Sequence, residues 1–145
     1  MLKLSKKADY GLIALRHLAV HEGQGPCSAA DIAKLYHIST PLLAKILQKL
    51  ARRGLVVARH GSAGGYTLAR APEQITALEV VSAIDGPLLI TSCMTSRGEC
   101  EQTPTCTVRE PLRRVNDTIV ELLNRVTLSQ MTDEALGSKF VDLRT

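Results

Sequence analysis

Aromatic residues are nearly missing from this 145-residue chain, which has no tryptophan, one phenylalanine and three tyrosines. Hydrophobic residues still make up 45% of it. A core can therefore form, but it must be built from Leu, Val, Ile and Ala, a composition that favours helices over a sandwich or barrel. Long apolar runs are missing too. No stretch approaches the roughly 20 residues that span a bilayer, so no membrane partner is expected. Met1-Leu2-Lys3 leads into polar residues and not into an apolar signal segment, so a cytoplasmic protein is expected. Thiols stay reduced in that compartment. The four cysteines therefore read as metal ligands, redox sensors or core residues, not as a disulfide framework. Internal repeats and low-complexity segments are absent, and one compact domain with an appended helix is the default for this length.

The formal net charge of +4 conceals an asymmetry. Residues 1–60 carry ten Lys or Arg against Asp9, Glu22 and Asp31, whereas the remainder carries eight against eleven acidic residues. Only the first half is built to meet a polyanion.

Hydrophobic spacing and capping residues divide the chain. Ser5 precedes Ala8, Leu12, Leu15 and Ala19, which predicts a helix over about 6–21. Ser28 stands three before Asp31, a capping-box pattern that opens a short helix over about 29–36. After His37-Ile38-Ser39, Ser39 or Thr40 can cap the next helix, with Pro41 at its first turn. Leu43, Ile46, Leu47 and Leu50 form its buried stripe, and Gly54 stops it. Two helices joined by so short a turn, the second more basic, form a helix-turn-helix. Residues 55–59 and 66–69 then read as strands flanking the glycine-rich turn 61–65, a hairpin placed like a wing. Thr76 and Glu79 form another capping box and open a helix through about Ile84. Beyond the loop at about 92–105, a long helix over about 106–125 is expected. Val108, Leu112, Val115, Ile119, Leu122 and Val126 recur in steps of four and three, a stripe suited to pairing with a second copy. Residues 128 to about 136 form a last short helix. The expected fold is mainly α: a winged helix-turn-helix domain over 1–86, a cysteine-bearing loop over 87–106, a dimerisation helix and short terminal helix over 107–136, and a tail over 137–145.

DNA binding needs phosphate neutralisation for affinity and base-edge contacts for specificity. Ser39, Thr40, Pro41 and Ala44, near the start of the second helix of the motif, are placed to reach bases. Lys45 and Gln48 can also read an edge, and Lys49 and Arg52 fit the backbone better. Arg59 and His60 in the wing suit a minor groove, and Lys6, Lys7 and Tyr10 suit phosphates. No acid–base pair or substrate-pocket motif stands out, and an enzyme or electron carrier would leave the basic motif unexplained.

Cys93, Cys100 and Cys106 fall within fourteen residues, separated by Gly98 and Pro104, and can converge on one metal centre. Thiolates suit iron–sulfur clusters and zinc, although the spacing is not the tight pair of a zinc knuckle. Cys27 stands alone and reads as structural or incidental. Three thiols leave a fourth position, for which Asp9, His17, Glu99, Glu101 and an exogenous ligand are candidates.

Leu4-Ser5-Lys6, Asp9-Tyr10-Gly11, the helix-turn-helix, the run from Arg59 to Ala69 and the three-cysteine loop together resemble the Rrf2 family of bacterial regulators, over residues 1 to about 131. The resemblance implies a homodimeric, DNA-binding repressor in which Cys93, Cys100 and Cys106 hold a [2Fe–2S] or [4Fe–4S] cluster. It governs cluster assembly or redox and iron homeostasis; nitric-oxide sensing is the alternative within the family, and a zinc- or thiol-based regulator the alternative without a cluster. In NsrR-like members an aspartate of the second copy supplies the fourth ligand, and Asp9 matches it. In IscR-like members a histidine three residues after the last cysteine does so, and Arg109 stands there instead. The first cysteine gap is one residue longer than is typical of both groups, and His60 replaces an arginine common in the wing. The segments around Gly86–Cys93 and Cys100–Cys106 look most like regulators of the SUF assembly operon.

Overall fold

The structure, a computed structural model, describes residues 3–90 and 107–132. Helix α1 spans Lys6–Val20, and its N-cap Ser5 accepts a hydrogen bond from the Ala8 amide at 3.0 Å. That bond satisfies one of the four amides a helix start leaves free. Helix α2 spans Ala29–Tyr36 and is capped by Ser28, which accepts from the Asp31 amide. It ends at His37, whose φ of 56° is the left-handed conformation that turns the chain sharply. Buried Ile38 anchors the turn, and α3 runs over Thr40–Arg52.

The wing is an antiparallel hairpin of β1 (Val56–Arg59) and β2 (Gly65–Leu68), with Val56 opposite Leu68 and Arg59 opposite Gly65. A short 3-10 turn at Pro72–Gln74 precedes α4 (Ala77–Asp85). Helix α5 spans Arg109–Arg125, and α6 spans Leu128–Met131. The capping boxes expected at Ser28 and Thr76 form by half. Thr76 accepts from the Glu79 amide at 3.2 Å, but the Glu79 carboxylate pairs with Arg70. A guanidinium outcompetes a single backbone N–H for a carboxylate. The reciprocal box forms where none was expected, between Thr127 and Gln130 at the head of α6.

The core lies between α1, α3 and α4. Leu15, Ile32, Leu43, Leu47, Leu50, Ile75, Val80 and Leu128 are fully buried in it. Each such side chain contributes roughly 2 kcal/mol through its removal from water. The predicted stripe of α3 is therefore the actual one, and it fixes which side of α3 faces out. Gly11 lets α1 and α4 approach closely, because a Cβ there would overlap the side chain of Ile84. Backbone hydrogen bonds from Ala77 to Val126 and from Leu128 to Ile75 (2.8 and 2.9 Å) tie the end of α5 back to the segment that opens α4.

Three sequence expectations shift. The long helix starts at Arg109 and not near 106, with Val108 as its N-cap residue. The first strand begins at Val56, because Leu55 is spent on the core beside Leu50. The last helix ends at Met131 and not near 136. Residues 91–106, with the cysteine loop, and 133–145, with the tail, lie outside the described residues.

Candidate nucleic-acid interface

Burial of one face of α3 leaves the other in solvent. Ser39, Thr40, Pro41, Lys45, Gln48, Lys49 and Arg52 are exposed, and Ala44 is half-buried. The Ser39 side chain makes no cap hydrogen bond, so its hydroxyl and the first amides of α3 stay open to an acceptor. A helix start offering free N–H groups and positive partial charge suits a phosphate or a base edge. Most of the residues expected from sequence to meet DNA thus share one solvent face. Lys49 is the exception: its ammonium donates to the Ile84 carbonyl at 2.7 Å and points along the protein, not away from it.

The wing continues this basic surface. Arg59 closes β1, and His60 is exposed in the turn that follows. Two close approaches shape the hairpin. A Cβ at Gly64 would overlap the Arg59 carbonyl, and one at Gly65 would overlap the Cys27 backbone. Cys27 and Tyr66 exchange backbone hydrogen bonds at 3.1 and 2.8 Å, so the loop before α2 adds an antiparallel bridge to the outer edge of β2. No pattern in the sequence announces this contact, and Cys27 there reads only as structural or incidental. Burial and the nearby Asp31 push the Cys27 thiol above its ordinary range, a poor state for a reactive thiolate.

Lys6 and Lys7 are exposed in the first turn of α1. Cations there oppose the helix dipole, so they stabilise nothing local, and a bound polyanion would reverse the sign. Tyr10, expected beside them, instead packs partly against the core.

Of the candidate metal ligands, Cys93, Cys100, Cys106, Glu99 and Glu101 lie outside the described residues. Among the described residues no three His, Cys, Asp or Glu side chains converge as a metal site. Asp9 is exposed on the first turn of α1 and forms no ion pair among the described residues. His17 is committed elsewhere. It is buried, its Nδ1 lies 3.0 Å from the Tyr36 hydroxyl, and its ring stacks on His21 at 4.1 Å. Burial first, and His21 second, hold its imidazole below the ordinary range.

The α5 stripe divides. Val108, Val115 and Leu122 are 54, 47 and 41% exposed, and Leu112 and Ile119 are half-buried. Val126 is buried in its own chain, because the backbone there bonds to Ala77. Asn116, on another side of α5, is buried and accepts from the Ile90 amide at 3.0 Å, which pins the segment after α4 to this helix. No described helix is long and apolar enough to cross a membrane.

A capped helix-turn-helix, an outward polar face on its second helix and a glycine-tipped wing define a winged helix-turn-helix regulator. The chain belongs to the Rrf2 family, whose model, described as an iron-dependent transcriptional regulator, matches residues 4–134. It is 30% identical to the HTH-type transcriptional regulator IscR of Pectobacterium carotovorum over 132 residues, 91% of this chain and 80% of that protein. The IscR of Vibrio parahaemolyticus is 32% identical over 91% of this chain and 79% of its own. Among solved structures, T. potens IscR superposes with a TM-score of 0.74 at 31% identity, covering 92% of this chain and 88% of that one. CymR, the global cysteine regulator of B. subtilis, superposes at 0.73 and 31%, covering 91% and 97%. These relatives are transcriptional regulators and not enzymes.

Proposed function

We propose that this chain is a homodimeric repressor that binds duplex DNA through the outer face of α3 and the wing, with its operator affinity set by an iron–sulfur cluster. The DNA half of the reading is carried by α3. Its apolar stripe is sealed in the core, while Thr40, Pro41, Lys45, Gln48 and Arg52, like Arg59 and His60 of the wing, stand in solvent. The dimer half is supported by the apolar residues that α5 leaves exposed.

The cluster reading rests on the chemistry of the donor set. Cys93, Cys100 and Cys106 offer three soft thiolates within fourteen residues, and Asp9, exposed at the head of α1, offers a carboxylate from a second copy. Such donors fit iron–sulfur ligation. The cluster supplies a group whose presence depends on iron supply and oxidants. The chain's own residues do the rest. Cys93, Cys100 and Cys106 would hold the cluster and so gather the segment between α4 and α5, and Asp9 would tie helix α1 of one copy to that segment in the other. Release of Asp9 would free α1 and alter the spacing of the two recognition helices. A coupling of about 1–3 kcal/mol would change DNA affinity from several-fold to about a hundredfold.

A second reading is favoured by the likeness to CymR, which has also been solved from S. aureus in an oxidised form, at 26% identity and a TM-score of 0.70. In it, bare thiols or zinc replace the cluster. Cys27 is poorly suited to that role, since its thiol is half-buried and pushed towards the protonated form. Composition separates the two readings. Purified without air, the protein should sediment at twice its 15.7 kDa chain mass and contain iron and sulfide, with visible absorption that Cys93→Ala abolishes and Asp9→Ala makes shorter-lived. Zinc without iron or sulfide would decide for the second reading, and a colourless wild type free of all three would leave bare thiols.

A further inference from the structure

The last turn of α4 is held from two other helices. Ile84 is buried, and its side chain fills the place a Cβ on Gly11 of α1 would need. Asp85 accepts a hydrogen bond from Ser5, the N-cap of α1, at 2.7 Å. The Ile84 carbonyl is one of the acceptors that a helix end leaves without an intrahelical partner, at the negative pole of the dipole. Lys49 of α3 fills it at 2.7 Å. Directly beyond, Gly86 turns the chain with a φ of 80°, and Ile90 is pinned to Asn116 of α5. The end of α4 is therefore where the DNA-binding domain meets both the segment leading to the cysteines and the long helix.

The position of Lys49 on its own helix points the same way. At about 100° per residue, Lys49 lies roughly 110° from the centre of the buried stripe of α3. Pro41 and Arg52 lie within about 20° of the opposite pole, and Lys45 and Gln48 within about 30°. Lys49 thus borders the core on its flank, while those four face outwards.

We infer that Lys49 is a positioning residue and not a phosphate contact. It couples the orientation of the recognition helix to the end of α4, and so to the state of the cysteine-bearing segment that follows. The regulatory part rests on the proposed cluster function; the positioning part does not. A phosphate contact and a positioning bond have different signatures. Each lysine that displaces counterions from duplex DNA contributes about 0.9 to the slope of log affinity against log salt. Lys49→Gln is measured beside Arg52→Gln, which faces outwards, with operator duplex in a salt series.

Arg52→Gln should lower the slope by about 0.9 per copy, while Lys49→Gln should leave it within half of that change. In Lys49→Gln, the ratio of operator affinities between protein with an intact cysteine trio and the Cys93→Ala variant should collapse towards one. Lys49→Arg, which retains a charged donor on a side chain of similar reach, should restore the ratio. A slope lowered as much by Lys49→Gln as by Arg52→Gln would make Lys49 a phosphate contact and overturn the inference. So would an unchanged slope with an unchanged ratio. If Cys93→Ala has no effect on operator affinity in the wild-type background, the cluster reading fails. Positioning is then judged on free protein by amide exchange. Lys49→Gln should speed exchange at Ile84–Gly86 and in the last turn of α3, and equal exchange would contradict it.

Discussion

Individual residues in this chain are often decided by partners far away in sequence. His17 was a candidate metal ligand by residue type alone. Its neighbours in space, Tyr36 and His21, make it instead a buried neutral imidazole that joins α1 to the end of α2. This has a pH consequence. Its pKa is lowered in the fold, so acid favours the unfolded chain, which binds that proton more readily. Stability should be full above about pH 6.5, the ordinary imidazole value, and fall as the pH drops below it. Chemical denaturation between pH 5 and 7 measures the slope, and His17→Gln should flatten it. An identical slope in the variant would assign the acid sensitivity to other groups. Lys49 carries the same lesson. Its charge and place on α3 suggested DNA, and only the proximity of Ile84, 35 residues on, reveals its bond.

Elements were more legible than residues, for a physical reason. Where a helix is fixed by a local cap and a periodic apolar stripe, both signals lie within a dozen residues. The residues expected for α1 and α2 are accordingly those observed, to within one at the ends, and α3, whose expected cap bond at Ser39 does not form, follows its apolar stripe and Pro41. Features set by non-local pairing were not legible. They include the Cys27–Tyr66 bridge to the wing, the capture of Glu79 by Arg70, and the docking of Val126 against Ala77. The Thr127–Gln130 box was readable in principle, since Thr-x-x-Gln precedes the helix, but the segment is short and its apolar period faint. The wing offers a test at this scale. A methyl group at Gly65 must push β2 away from Cys27, so Gly65→Ala should lower stability by about 1–3 kcal/mol. It should also weaken DNA binding while the helical circular dichroism is kept. A melting temperature equal to wild type would mean that the Cys27 bridge is not a constraint on the wing.

At the scale of the whole molecule, the segments joined to the cysteine loop are bolted to the DNA-binding half. Upstream, Ile84 and Asp85 are held by α3 and α1, and Ile90 by Asn116. Downstream, α5 packs on α4, and its far end bonds to Ile75 and Ala77. The charge split of the sequence follows the same plan, with the excess of Lys and Arg confined to the half that carries the proposed DNA face. The cysteine trio was plain in the sequence. The Lys49–Ile84 bond was not, because no local pattern announces the meeting of a lysine side chain with a helix-end carbonyl.

The most direct test of a regulator built this way is its operator affinity with and without the cysteine ligation, in one salt buffer and without air. The account predicts that Cys93→Ala changes the affinity of the dimer by several-fold to about a hundredfold while leaving the protein folded. Equal affinities for wild type and variant would contradict it.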